Sequence, residues 1–253
     1  MPSRRFRQCF LGFFVAAITA LSACAGNIPA APKDQRAEYD PWEPMNRRIS
    51  NFNDGFDSVT FKPLAKGYQK IMPGFVEKGV HNFSMNLLGP LFIINNFLQG
   101  KPGRGGKEFG RFLINSIMGL GGLIDVATHS GIESSPETFG QTFAVWGIPD
   151  GPYVVVPVLG PHTMSGVFAI PLNFAGDPTF YLDDSTEKWV IYGIRTIDLR
   201  MQLFTAEKLI EDSYDRYLAI RESFLQNRRF RIFDGNPPED DDFYDEFLEE
   251  EEQ

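Results

Sequence analysis

One nucleophile closes the first apolar run of the chain: Cys24, at the end of Leu21, Ser22, Ala23, Cys24. A leucine three positions before a cysteine, with small residues between, is the pattern of a bacterial lipobox. The Cys24 thiol accepts a diacylglycerol, cleavage before it frees an amine, and that amine is acylated in turn. One acyl chain binds a membrane only marginally, whereas two or more anchor a protein stably. Residue 25 is Ala and not Asp, so the usual signal for retention at the inner membrane is missing. The expectation is a lipid anchor on the periplasmic side of the outer membrane.

The other chemistry-bearing residues form no catalytic set. His81, His129 and His162 have no metal-site spacing, and no cysteine is free to join them. HTMSGV lacks both glycines of a serine-nucleophile elbow. Asp183-Asp184 reads as a solvated turn before a helix. GRGG (Gly103 to Gly106) has neither the preceding strand nor the Lys-Ser/Thr ending of a phosphate loop. The expectation is no enzyme, no metal and no cofactor.

These residues must be placed by the elements around them. MPSRRFRQCF followed by the ten-residue apolar run Leu11 to Ala20 describes a secretory signal. It is too short to span a bilayer, which takes roughly twenty residues. The segments expected are a signal at 1–23, a lipidated tether at 24–39, a helical domain at 40–235 and an acidic tail at 236–253. Cys9 leaves with the signal and Cys24 is acylated, so no disulfide forms. The formal net charge is -9, and the tail EDDDFYDEFLEEEEQ alone carries ten acidic residues and no basic one. The body is therefore close to neutral, and nothing in it suggests a nucleic-acid partner.

The body combines 24 Phe with 24 Gly and 18 Pro. Asp40 before Pro41 suggests a helix N-cap, with Met45, Ile49, Phe52 and Phe56 on one face. Further helices are expected over Phe61 to Pro73, Phe75 to Gly89, from Leu91 with a loop by Gly106, and over Lys107 to Gly131. In that last segment Phe109, Phe112, Leu113, Ile117 and Leu120 share a face. Gly106-x-x-x-Gly110 and Gly119 to Gly122 are candidate sites of close helix approach. Tyr153 to Val158 favours a short strand, though Pro157 argues against a central one. Helical patterning returns from Ser185 to Phe233. The fold class is all-α: a ring-like arrangement of amphipathic helices with Gly/Pro breaks. Its apolar stripes form either a soluble core or a surface embedded in one membrane leaflet.

Three stretches carry a resemblance: DPWEPMNRRISNFND, NNFLQGKPGRGGKEFGRFLINSIMGLGGLIDVA and FGQTFAVWGIPDGPYVVVPVLGP, in order from Asp40 to Pro161. The chain resembles the MlaA/VacJ family of outer-membrane lipoproteins that maintain lipid asymmetry. The resemblance implies a ring of helices in the inner leaflet of the outer membrane. Through it, an amphipathic channel lets mislocalised phospholipid leave the outer leaflet for a periplasmic lipid carrier of the Mla pathway. It also implies association with a trimeric outer-membrane porin. Candidate channel-gate residues are Asn51, Phe52, Asn53 and Asp54. Gly147, Gly151, Pro152, Tyr153 and Pro157 match a structural turn set, and Arg47 and Arg111 are candidates for phosphate or for salt bridges. The alternative is a lipoprotein scaffold that binds porin or envelope complexes without its own lipid path.

Overall fold

The computed structural model describes residues 40–210 and 213–238. The signal, Cys24, the tether to Glu38 and Tyr39, and the acidic tail from Glu239 lie outside the described residues. Ten α-helices occur within them: α1 (Glu43–Val59), α2 (Phe61–Ile71), α3 (Gly74–Leu87), α4 (Gly89–Leu98), α5 (Pro102–Ile117), α6 (Val126–His129), α7 (Phe139–Val145), α8 (Met164–Gly176), α9 (Ser185–Ile210) and α10 (Arg216–Ile232). Between α7 and α8 runs an antiparallel hairpin, β1 (Tyr153–Val156) and β2 (Gly160–Thr163), in which Tyr153 faces Thr163 and Val156 faces Gly160. Pro157 sits in the hairpin turn, where no ladder donor is needed.

Neighbouring elements close a circuit. From α1 contacts lead to α2, α9, α3, α4, α7, α8 and β2, and β1 returns to α1. The return is made by asparagine side chains. Asn46 donates to the Tyr153 carbonyl at 3.0 Å and accepts from the Val155 amide at 2.9 Å. Seven residues on, two helical turns away, Asn53 donates to the Val156 carbonyl at 3.0 Å and accepts from the Val158 amide at 2.7 Å. Each carboxamide thus presents one donor and one acceptor and stands in for a neighbouring strand along β1. Beside this seam Tyr153, Val155 and Tyr217 form the main apolar cluster, with Ile49 and Phe224 against it.

Several sequence expectations are corrected. Asp40 caps no helix; Trp42 occupies that position. Asp40 is buried instead, and accepts from Asn46 at 2.8 Å, from the Tyr217 hydroxyl at 2.5 Å and from Arg221 at 3.1 Å. The loop expected to reach Gly106 ends early, because Pro102 takes the first helical position of α5, where its missing N–H is no loss. The long helix to Gly131 stops at Ile117. Leu120, Gly121 and Gly122 turn the chain with φ of 54°, 73° and 99°, and a Cβ on Gly122 would lie 2.5 Å from the Asn86 side chain. Gly106 and Gly110 face open space. Helix approach occurs at Gly89, where a Cβ would lie 2.8 Å from Phe112, and at Gly105 against Phe97.

The direction of the apolar stripes, left open by the sequence, is set by α5. On α5 the buried positions are Gly105, Glu108, Arg111 and Asn115, while Phe109, Ile117 and the following Leu120 are 52%, 75% and 70% exposed. Most of the stripe read from the sequence faces outward, and Phe112 alone of it turns in against Gly89. Leu64 and Ile71 of α2, Phe75 of α3 and Trp189 of α9 are exposed as well. No helix among the described residues is long and apolar enough to cross a membrane.

Asn46→Ala strands the Tyr153 carbonyl, the Val155 amide and one Asp40 oxygen. It is expected to cost about 2–3 kcal/mol, or about 4–10 °C in Tm, in thermal unfolding of the detergent-purified protein. Asn53→Ala, half-buried, lowers Tm by about 3 °C or less. Equal losses would refute the ranking of the two clamps.

Candidate functional site

Where α3, α4 and α5 pack, they leave a partly open cavity of about 190 Å³. His81, Asn82, Met85 and Asn86 line it from α3, Gly89 and Phe92 from α4, and Glu108, Arg111, Phe112 and Asn115 from α5. Asp125, Thr128 and Ser134 close the remaining side. Polar groups dominate one part of this lining, and Met85, Phe92 and Phe112 supply an apolar part.

Arg111 organises the polar wall. Its guanidinium donates to Asp125 at 3.1 and 3.2 Å, to the Thr128 hydroxyl at 2.9 Å and to the Ile132 carbonyl. Asp125 also accepts from Asn115 at 2.9 Å and from the Thr128 hydroxyl at 2.6 Å, and it caps α6 through the Thr128 amide. Burial alone would raise the Asp125 pKa. The hydrogen bonds from Thr128, Asn115 and Arg111 outweigh it and hold the carboxyl down to about 2.

Two further groups at the cavity are treated differently. His81 Nδ1 lies 2.9 Å from Asp198 on α9, and that hydrogen bond raises the imidazole pKa against the opposing effect of burial. Glu108 is buried and accepts on one oxygen from the Ser134 hydroxyl at 3.0 Å and from the Ser135 amide. No cation lies within salt-bridge distance of it among the described residues.

The candidate gate residues lie elsewhere, on α1. Asn51 and Phe52 are exposed; the Phe52 ring stacks on Phe56 at 6.1 Å. Asn53 is the hairpin clamp, and Asp54 lies 3.5 Å from Arg216. Of the turn set, Tyr153 and Pro157 lie at the seam between α1 and the hairpin: the Tyr153 carbonyl accepts from Asn46, and Asn53 bonds the residues on either side of Pro157. Gly147 and Gly151 adopt φ of 81° and 67° before it, and Pro152 accepts the Met164 amide on its carbonyl at 3.0 Å. None of these residues lines the cavity. Arg47 pairs with Glu43 and Asp215, both at 2.7 Å, and lies 4.4 Å above the Tyr217 ring. Both candidate arginines are thus engaged by protein groups.

Sequence reasoning gave Asp40 a capping role and missed Asn46, Glu108, Asn115 and Asp125. A signal was present in α5. Glu108, Arg111 and Asn115 recur at spacings of three and four, which makes a polar stripe opposite the apolar one. His162, Thr163 and Ser165 of HTMSGV serve structure: Thr163 accepts the Gly166 amide at the start of α8, and Ser165 lies 3.3 Å from Asp150. Among the described residues no group of three His, Cys, Asp or Glu is placed to hold a metal.

Residues 38–231 match the MlaA lipoprotein family. The chain belongs to that family. It is 34% identical over 223 residues to the intermembrane phospholipid transport system lipoprotein MlaA of Escherichia coli K12, covering 84% of each chain. The protein of the same description from Haemophilus influenzae is 29% identical over 231 residues, covering 85% of this chain and 87% of that one. An uncharacterised Rickettsia prowazekii protein is 34% identical over 196 residues, covering 77% and 78%. A solved structure described as the structural basis for maintenance of bacterial outer membrane lipid asymmetry superposes with a TM-score of 0.63 at 34% identity. It covers 76% of this chain and 98% of the other. The mainly helical fold with one small hairpin is therefore that of the MlaA family.

Because the folded-state pKa of His81 is raised, its contribution to stability is complete below the ordinary value of 6.5 and is lost as pH rises through the raised value. Tm of the wild type should therefore fall over that interval more than Tm of His81→Gln. Parallel pH profiles for the two proteins would show that the His81–Asp198 pair does not couple to folding.

Proposed function

We propose that this protein is an outer-membrane lipoprotein, anchored through Cys24 on the periplasmic side, that removes mislocalised phospholipids from the outer leaflet. It passes them to a periplasmic lipid carrier of the Mla pathway and so maintains lipid asymmetry. One observation carries the reading: on a chain of the MlaA family, large apolar side chains point outward while asparagines, carboxylates and arginines are buried. In water such a surface would be an aggregation liability. In a single leaflet it is the solvated face, and a helix that does not span can lie there.

The interior then supplies what a lipid headgroup needs. Bare charge is expensive in hydrocarbon, and a path with polar walls on one side and apolar walls on the other lowers that barrier. The cavity between α3, α4 and α5 has that composition and serves as a headgroup station. Asn51, Phe52, Asn53 and Asp54 act as the gate, through the tie between α1 and the hairpin. A trimeric porin holds the outer face.

The test is outer-leaflet phospholipid in cells lacking the gene and complemented with wild type, Cys24→Ala, a deletion of Phe52-Asn53, or Asn82→Trp, which adds bulk to the cavity lining. Wild type should restore asymmetry. All three variants should leave excess phospholipid outside, with the deletion and Asn82→Trp proteins still folded and membrane-bound. If Asn82→Trp and the deletion restore asymmetry fully while loss of porin binding abolishes it, the protein is a scaffold and has no lipid path.

A further inference from the structure

Glu108 is the unbalanced charge of the cavity. It is 3% exposed. One carboxylate oxygen is satisfied by Ser134 and Ser135, and the other has no hydrogen-bond partner among the described residues. That second oxygen is not among the buried unpaired atoms of the described residues, so it is open to a group that enters the cavity, and a largely buried carboxylate gains most from a cationic partner. The nearby cation on the same helix face, Arg111, is no remedy. Both its terminal nitrogens are committed to Asp125, Thr128 and Ile132, and Asp125 cancels its charge. His81 is likewise committed to Asp198. Among the described residues the lining therefore carries one carboxylate without a cationic partner.

This arrangement discriminates between the two charged ends of a headgroup. A phosphate would meet an arginine that is already neutralised and a carboxylate that repels it. An ammonium would meet the free Glu108 oxygen, and its three N–H donors suit the carboxamides of Asn82 and Asn86 in the same lining. We propose that the cavity selects phospholipids whose headgroup carries a primary ammonium, with Glu108 as the counter-ion. The inference rests on the reading of the cavity as a headgroup station.

Full-length protein in detergent is titrated calorimetrically with dihexanoyl phosphatidylethanolamine, dihexanoyl phosphatidylglycerol and ethanolamine. The ethanolamine lipid should bind at least about tenfold more tightly than the glycerol lipid, and ethanolamine alone should bind more weakly than either lipid. Glu108→Gln, which keeps an acceptor for Ser134 and Ser135, should bring the two lipids to about equal affinity. Equal affinities in the wild type overturn the headgroup preference and leave the lipid path standing. Failure of both lipids to bind overturns the preference together with the reading beneath it. If ethanolamine alone matches its lipid, the site is one for free amines, and the proposal falls. The wild-type comparison decides these outcomes even if Glu108→Gln unfolds.

Discussion

The amide of Asn46 joins parts of the chain that are more than a hundred residues apart. It links Asp40, ahead of the first helix, to the backbone of β1, and Asp40 in turn holds Tyr217 and Arg221 of the last helix. Neither propensity nor apolar contact could place these three segments so narrowly, because an amide demands direction as well as distance. Burial strengthens the demand, since each unpaired group would go without water. The circuit of helices is closed by this joint. Tyr153 and Tyr217 pack edge to face beside it at 6.2 Å, adding dispersion to a geometry the hydrogen bonds have already set.

The same logic recurs around the body. Arg195 binds Asp177 at 2.6 Å, Arg200 bridges Asp57 and Glu207 at 2.8 and 2.9 Å, and Arg228 binds Asp150 and the Gly140 carbonyl. Gln99 reaches both Glu137 and Thr142 at 3.1 Å. Most of these contacts tie one helix to another or to the loop beside it. A chain with so many large side chains pointing outward has less apolar contact with which to hold its helices together. Directional bonds between buried polar groups take over that task, as they do where the surroundings are already apolar.

Much of the helix inventory was legible. Apolar periodicity located α1, α2, α3 and the core of α5, and the Gly and Pro punctuation located most of the breaks. What periodicity could not tell was direction. An apolar stripe marks a face without saying whether the neighbour is a protein core or a lipid, so Phe109, Ile117 and Leu120 were equally compatible with both. The polar joints were hidden for another reason. Asn46 and Asp40 have the composition of ordinary capping residues, and their partners at Tyr153, Tyr217 and Arg221 lie too far along the chain for any local pattern to reveal them. Helix ends were misread where a left-handed Leu120, unusual for a residue with a side chain, stops α5.

A protein with an apolar core tolerates drift on its surface and resists it inside by volume, a graded penalty that a neighbouring substitution can relax. Here the interior is written in donors and acceptors. Replacing Asn46 by Asp, nearly identical in size, would turn its donor into a second carboxylate oxygen 2.8 Å from Asp40 and opposite the Tyr153 carbonyl. No shift in packing compensates for that. At the exposed apolar positions, by contrast, exchanging one large apolar side chain for another leaves no buried donor or acceptor unpaired. Substitutions therefore weigh unequally in such a chain: an exchange at an exposed apolar position unpairs no buried group, whereas the loss of Asn46 unpairs three.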